Sequence, residues 1–199
     1  MITALALLVL LGASQILIPP LAEHRIEDRL TSGGGSAEVA LEAVPAARLL
    51  FADGKRISVS GTGLDLRLQQ QTDVLGKLDG FDEVDVRLTD FRAGPFSVAS
   101  FDLARSGSSA PYELVSSSRT TPGELAQFGA AQFGLPGGPL LRYFAGQAFG
   151  GNQPIPIRLD MSLRSDNGRI VVVSGGGTVA GFPTGPLAQL ITSAIVIQL

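Results

Sequence analysis

The sequence lacks much of what enzymes and metal sites use. It contains no cysteine, which excludes disulfide scaffolds, thiolate metal sites and thiol nucleophiles. Its only histidine is His24, so a zinc site with two histidines is excluded, and a histidine base could only be this residue. No Gly-x-Ser-x-Gly nucleophile elbow occurs. The composition therefore favours a protein that is not an enzyme and uses no cofactor or metal.

Charged residues are also scarce. They make up 17% of the 199 residues, and the 15 Lys and Arg are scattered among 18 Asp and Glu without forming blocks. A nucleic-acid-binding protein is expected to carry a clustered basic face, so nucleic acid is not a predicted partner. Hydrophobic residues make up 45%, which is enough for a sizeable core at this length.

The N-terminus carries no charged side chain between Met1 and Ala22. The apolar run Ile2–Ile18 lies at the border between a membrane span, which needs roughly 17–25 residues, and a signal-peptide core of about 7–15. It predicts an uncleaved membrane anchor or an export signal, and the alternative is a buried helix of a folded domain. The charges that follow nearly cancel, so they predict no orientation.

The sequence divides the chain into three predicted parts. Residues 1–21 are predicted to be the hydrophobic anchor or uncleaved signal. Residues 22–36 contain a short amphipathic helix, Ala22–Leu30, and a Gly/Ser hinge. Residues 37–199 are predicted to form a single β-rich domain.

Strict alternation of apolar and polar residues recurs in this third part. It is clearest in the runs Leu64–Leu68, Val84–Leu88 and Ile155–Leu163. A period of two places apolar side chains on one face of a strand and polar ones on the other, which is typical of antiparallel sheets. The sequence therefore predicts a large antiparallel sheet with one apolar face.

Local signals refine this prediction. Asp166–Gly168 predicts a tight hairpin, because Asn-Gly accepts positive φ at both central positions. The alternation slips between Ala99 and Phe101, which predicts a bulge or a strand break. Thr121–Glu124 is a capping box that begins a helix, and further helical segments are predicted from Pro139 and Thr184. The final alternating residues, Ile195–Leu199, are predicted to join the sheet.

Two motifs have competing interpretations. The Gly175–Gly177 run could be a dinucleotide-binding loop, but its spacing to Gly181 is wrong, and a bend or bulge in a strand is favoured. The acidic stretch Asp82–Asp85 could hold calcium, but it lacks the alternating ligand spacing of an EF-hand. A solvated strand face is the favoured interpretation.

The long apolar strand faces, together with phenylalanines on Gly-rich helical segments, allow either a filled core or an elongated cavity for an acyl chain. The predicted apolar lining consists of Leu64, Leu66, Val84, Val86, Phe96, Val98, Phe101, Phe128, Phe144, Ile157, Leu159 and Met161. Arginine offers a fork of donors that suits a phosphate. The head-group candidates are Arg119, Arg158 and Arg164.

Three segments, Arg25–Leu30, Leu78–Leu88 and Gly177–Pro183, resemble the LmeA-like family of actinobacterial cell-envelope phospholipid-binding proteins. The resemblance implies an exported or membrane-anchored protein that binds a phospholipid such as phosphatidylinositol and catalyses no reaction. It also implies an α+β fold of the tubular lipid-binding (TULIP-like) kind, in which a long curved antiparallel sheet wraps around helices.

The sequence thus predicts a phospholipid-binding protein of the extracytoplasmic envelope that supports lipid or lipoglycan maintenance. It would hold acyl chains between its sheet and helices and contact the membrane through its N-terminal segment. The alternative is a structural or scaffolding envelope domain with a filled core and a protein partner.

Overall fold

The structure, a computed structural model, describes residues 18–67, 75–124, 153–179 and 182–183. Helix α1 is described over residues 18–31. The remaining elements are β1 Ser36–Glu42, a 3-10 helix Ala46–Phe51, β2 Gly54–Thr62, β3 Asp65–Leu66, α2 Gly76–Asp79, β4 Phe81–Ala93, β5 Phe96–Arg105, β6 Tyr112–Thr120, β7 Ile155–Asp166, β8 Arg169–Val179 and β9 Phe182–Pro183.

These strands form one nine-stranded sheet in the order β1-β2-β4-β5-β6-β7-β8-β9, with β3 beside β4. The fold is therefore α+β and dominated by its sheet. The prediction of a purely antiparallel sheet is wrong at one place, because β4 runs parallel to both β2 and β3. Alternating burial is the same for parallel and antiparallel neighbours, so the period of two did not reveal the strand direction.

The alternation itself is confirmed by burial. In β7 every second residue from Ile155 to Leu163 is buried, and most of the residues between them are exposed. The inward side chains of β1, β2 and β4–β7 belong to one contiguous core cluster, together with Leu30 of α1 and Leu78 of α2. One face of the sheet therefore carries the core, and α1 lies along β1 while α2 contacts several strands from β4 to β7.

Of the bulge or strand break predicted between Ala99 and Phe101, the structure has a bulge. The pairing of β5 with β6 shifts between Val98 and Ser100, so Val98 and Phe101 both stay buried. A second shift in the β7–β8 pairing leaves Val173 as the extra residue. The glycine run lies inside β8, and Gly175 has φ +81°, where a Cβ would overlap the backbone oxygen of Asp160. These glycines bend a strand and do not form a loop between a strand and a helix.

The capping box is also confirmed. The Glu124 N–H donates to Thr121 Oγ1 at 3.2 Å, and the Thr121 N–H donates to Glu124 Oε2 at 2.9 Å. The predicted helical segments from Pro139 and Thr184, the C-terminal strand and the N-terminal residues 1–17 lie outside the described residues.

The predicted hairpin joins β7 to β8, and Asn167 and Gly168 have φ of 52° and 83°. Gly168 is buried, and its carbonyl accepts the Leu75 N–H at 2.8 Å. We expect Gly168→Val to lower the free energy of unfolding by about 1–3 kcal/mol, because a β-branched residue is strained at positive φ. Urea denaturation measures this change. Asn167→Gly is the control, expected to stay within about 0.5 kcal/mol of the parent, and an unchanged Gly168→Val would show that the turn lies elsewhere.

Candidate functional site

A groove of about 470 Å³ lies where α1, the 3-10 helix and α2 meet the sheet. Its floor includes Leu41, Ile57 and Phe81, which come from β1, β2 and β4 and also belong to the core cluster. The other described apolar lining residues are Ile18, Leu21, Ala22, Ile26, Leu49, Leu50, Ala52 and Leu78. The volume falls within the roughly 300–1,000 Å³ that is typical of small-molecule sites.

Two glutamates fix helix α1 to the sheet. The Val39 N–H donates to Glu27 Oε1 at 3.1 Å, and the Leu41 N–H donates to Glu23 Oε1 at 2.8 Å. Four residues of helix rise about 6 Å and two residues of strand about 7 Å, so the spacing of the two carboxylates matches that of the two donors. The glutamates therefore occupy the exposed edge of β1 and set the position of α1.

Glu27 also contacts the only histidine. His24 Nδ1 lies 3.1 Å from Glu27 Oε2, and the imidazole is largely exposed. The hydrogen bond from His24, and then that from the Val39 N–H, holds the pKa of the Glu27 carboxyl below its ordinary value. This favours the charged form of Glu27, which is the stronger acceptor for the strand N–H.

The helical period places two arginines on the opposite flank of α1. Each residue turns the helix by about 100°. Ile26 and Leu30 form the inward stripe, the glutamates flank it on one side, and Arg25 and Arg29 flank it on the other. Both arginines border the groove. Neither guanidinium forms a hydrogen bond or ion pair within the described part of the chain.

The groove has a positive character. Lys77 of α2 joins Arg25 and Arg29 in its lining, and the described lining contains no carboxylate. Burial lowers the pKa of Lys77, and the neighbouring charge of Arg29 lowers it further. Like charges gathered over apolar surface are stabilised by an anion. The arrangement therefore suits a molecule with an anionic group attached to an apolar body.

The 3-10 helix forms one rim of the groove and is held at its C-terminal end. Arg48 donates from Nε to Asp53 Oδ2 at 2.8 Å and from Nη2 to Asp53 Oδ1 at 2.7 Å. The Gly54 N–H donates to the Gly80 carbonyl at 3.1 Å, which ties the end of this rim to the turn after α2. The rim therefore has a defined position relative to α2.

The predicted apolar lining residues do not border this groove. The ten that are described are all buried in the single core cluster, with at most 3% exposure: Leu64, Leu66, Val84, Val86, Phe96, Val98, Phe101, Ile157, Leu159 and Met161. Phe128 and Phe144 lie outside the described residues. The structure thus gathers the ten on one face of the sheet, adjoining the groove floor through the core cluster.

The predicted head-group arginines are brought together only in part. Arg119, Arg158 and Arg164 are exposed and alternate with the buried residues of β6 and β7, so they lie on the face opposite to the apolar lining. Arg119 and Arg158 are diagonal neighbours on the paired strands β6 and β7, whereas Arg158 and Arg164 are about 20 Å apart along β7. Arg25, Arg29 and Lys77 were missed by the sequence analysis. The spacing of four between Arg25 and Arg29, beside an apolar stripe, was the available signal.

Arg164 borders a second cavity of about 490 Å³, which is polar. Its wall includes Arg105, whose side chain is 4% exposed and lies 3.6 Å from Asp79 Oδ1. Asp79 also accepts hydrogen bonds from Tyr112 Oη at 2.9 Å and from the Ser165 hydroxyl. Burial raises the pKa of the Tyr112 phenol. These contacts tie α2 to β5, β6 and β7.

Comparison with protein-family models, curated proteins and solved structures found no match to this chain. The resemblance of three segments to the LmeA-like family therefore stays a prediction. Among the described residues no helix is both long enough and apolar enough to cross a bilayer.

Proposed function

We propose that the protein binds a phospholipid without catalysing a reaction. The observation that supports this is the groove, in which Arg25, Arg29 and Lys77 border eleven apolar residues and no carboxylate is present in the described lining. An anionic head group would meet the cations, and an acyl chain would lie on the apolar floor. The chemistry fits a phosphatidylinositol-like lipid, the class that the resemblance implies.

The energetics favour such a ligand. Transfer of an acyl chain from water contributes roughly 0.8 kcal/mol per buried methylene, so a chain held in the groove supplies most of the affinity. The arginines then supply selectivity, because a guanidinium donates two parallel hydrogen bonds to a phosphate. In this proposal Arg25 and Arg29 take the head-group role that the sequence analysis gave to Arg119, Arg158 and Arg164.

The wider proposal follows the resemblance. The sheet with its apolar face would be part of a tubular lipid-binding fold, and the acyl chains would extend from the groove along that face. The protein would act in the extracytoplasmic envelope, held at the membrane by the apolar run Ile2–Ile18, and would support lipid or lipoglycan maintenance.

The direct test is mass spectrometry of the purified full chain, in which a stoichiometric phospholipid is expected. In parallel, Arg25→Gln and Arg29→Gln are each expected to weaken the binding of a fluorescent anionic phospholipid about tenfold, the loss of one charge-assisted contact. Arg158→Gln is the matched control, because its side chain is exposed on the opposite face. A lipid-free protein, or equal losses for Arg25→Gln and Arg158→Gln, would contradict the proposal.

One observation favours the alternative of a structural or scaffolding envelope domain. The ten described residues of the predicted lining are at most 3% exposed. Side chains in a filled core are buried to this extent. A scaffold would use its surface to bind a protein partner, and it would purify free of lipid.

A further inference from the structure

Helix α2 contributes to two cavities: Leu78 lines the groove, and Asp79 lines the second cavity of about 490 Å³, which we call the polar cavity. Other walls of the polar cavity come from the turn between β5 and β6, Ser108–Pro111, and from the ends of β7 and β8. The volume suits a small molecule. Because the lining is mostly polar, an acyl chain has little apolar surface to occupy. The polar cavity therefore fits a polar ligand rather than a lipid tail.

The walls of the polar cavity are held in place by hydrogen bonds within the chain. The Gly168 N–H donates to Ser165 Oγ at 3.0 Å, and the Ser165 hydroxyl donates to Asp79 Oδ2, which fixes the β7–β8 hairpin against α2. The Ala110 N–H donates to the Gly107 carbonyl at 2.9 Å and closes the turn between β5 and β6. A ligand therefore meets walls that are already formed, which lowers the entropic cost of binding.

Asp79 is the one carboxylate in the described lining, and its oxygens are already used. Oδ1 accepts the Tyr112 hydroxyl at 2.9 Å and lies 3.6 Å from Arg105 Nη1, and Oδ2 accepts the Ser165 hydroxyl. The phenol and the serine hydroxyl thereby use their only donor. The strongest acceptor of this wall is thus committed within the protein rather than open to a ligand.

The groups that remain open are mainly donors. Within the described part of the chain, the side chains of Arg164, Ser108 and Ser109 form no hydrogen bond or ion pair. The Arg105 side chain is 4% exposed, and its Nε is buried without a hydrogen-bond partner, although Nη2 donates to three backbone carbonyls. A buried donor without an acceptor is destabilising, and an acceptor atom of a ligand removes that cost. The polar cavity therefore suits a ligand that supplies acceptors.

The charges around the polar cavity are mixed. Asp79 lies beside Arg105 in the wall itself. By strand position two more carboxylates are near Arg164, Asp166 on β7 and Glu113 on β6, and neither lines the cavity or forms an ion pair with Arg164 among the described residues. Glu113 accepts a serine hydroxyl of β7 at 3.0 Å. Net charge therefore does not select the ligand. The selection comes from the donors, since a guanidinium donates only and presents a planar fork.

We propose that the polar cavity binds the phosphate ester of a small polar molecule. The Arg164 fork and the hydroxyls of Ser108 and Ser109 donate to the phosphate, and one phosphate oxygen gives Arg105 Nε its acceptor. These donors come from β5, the turn after it and β7. The three terminal oxygens of a phosphate monoester point in different directions, whereas the two oxygens of a carboxylate lie in one plane. The site is separate from the lipid groove, so it does not depend on the proposed function.

Calorimetric titration of the full-length protein tests this assignment, with glucose 6-phosphate and inorganic phosphate as probes and glucose as the uncharged counterpart. We expect both phosphates to bind and glucose to give no heat. Arg164→Gln is expected to weaken binding about tenfold, and Ser108→Ala combined with Ser109→Ala about fivefold, because each removes donors to the phosphate. Arg169→Gln is the matched control. It removes an exposed arginine of the same hairpin that is not in the described lining, and binding should change less than about twofold.

A local readout follows Arg105 itself. In ¹⁵N NMR spectra the Arg105 Nε–H signal is expected to move downfield when glucose 6-phosphate is added, since the proton gains an acceptor, and to stay in place with glucose. The measurement needs no Arg105 variant, which would lose a buried guanidinium and with it stability. Binding that leaves this signal unmoved would overturn the place of Arg105 in the site. Failure of both phosphates to bind, or equal losses for Arg164→Gln and Arg169→Gln, would overturn the proposal as a whole.

A competition distinguishes a soluble phosphate ester from a lipid head group. Monomeric short-chain phosphatidylglycerol is added to the full-length protein saturated with glucose 6-phosphate. We expect no displacement, because the polar lining does not accommodate an acyl chain. Displacement would show that the phosphate belongs to a lipid, and it would overturn the assignment of a separate site for a soluble ligand.

Discussion

Arg105→Ala is expected to lower the free energy of unfolding by about 3–5 kcal/mol, because it removes a buried guanidinium and leaves its buried backbone acceptors unsatisfied. The Arg105 guanidinium donates to the backbone carbonyls of Leu78, Asp79 and Phe81, lies near the Asp79 carboxylate and stacks 4.5 Å from the centre of the Tyr112 ring. Alanine would leave three carbonyls without this donor and the Asp79 carboxylate without its neighbouring charge, and it would empty the space over the ring. One of the connections between α2 and the sheet would be lost.

Chemical denaturation of matched variants measures this effect. Tyr112→Phe removes only the hydrogen bond to Asp79 and is expected to cost about 0.5–1.5 kcal/mol. Arg87→Ala is the control for arginine removal, because its ion pair with Asp85 is exposed and should contribute about 0–1 kcal/mol. If Arg105→Ala costs no more than Arg87→Ala, the buried cluster does not hold α2 on the sheet.

The local features of this fold followed from the sequence because each depends on a few neighbouring residues. The Asn167–Gly168 turn needs only positive φ, the capping box needs only Thr121 and Glu124, and the bulge at Ala99 is a one-residue slip in the alternation. The direction of β4 was missed for a different reason. The direction of β4 relative to β2 depends on the path of the chain between these two strands, and alternation carries no information on that path.

The groove could not be predicted in the same way, because it forms only when α1, the 3-10 helix and α2 meet on the sheet. The wrong prediction for Arg158 has a different cause, because the alternation in β7 already implied the direction of its side chain. An arginine between two inward residues, Ile157 and Leu159, must point outward on a strand. The same reasoning applied to α1 places Arg25 and Arg29 beside the apolar stripe, so the head-group prediction could have been made there from the helical period.

Substitutions of Met161 distinguish a filled core from an acyl-chain cavity along the sheet. It lies in mid-strand, 3% exposed, with Leu114 of β6 and Gly175 of β8 as its pairing partners. In a filled core Met161→Ala leaves a void and costs about 2–5 kcal/mol. Where the side chain borders a lipid the cost is smaller, and the loss falls on lipid binding. The proposed function therefore predicts a destabilisation below about 2 kcal/mol.

Met161→Trp gives the larger and more decisive effect. If the face is lined by lipid, the extra volume displaces the acyl chain, and we expect the domain to stay folded while fluorescent-phospholipid binding falls at least tenfold. A packed core would instead reject the added volume. Val115→Trp, on the exposed face of β6, is the control and should change neither property. Unfolding of Met161→Trp, or lipid binding equal to that of the parent, would exclude acyl chains at this position and favour the filled-core scaffold.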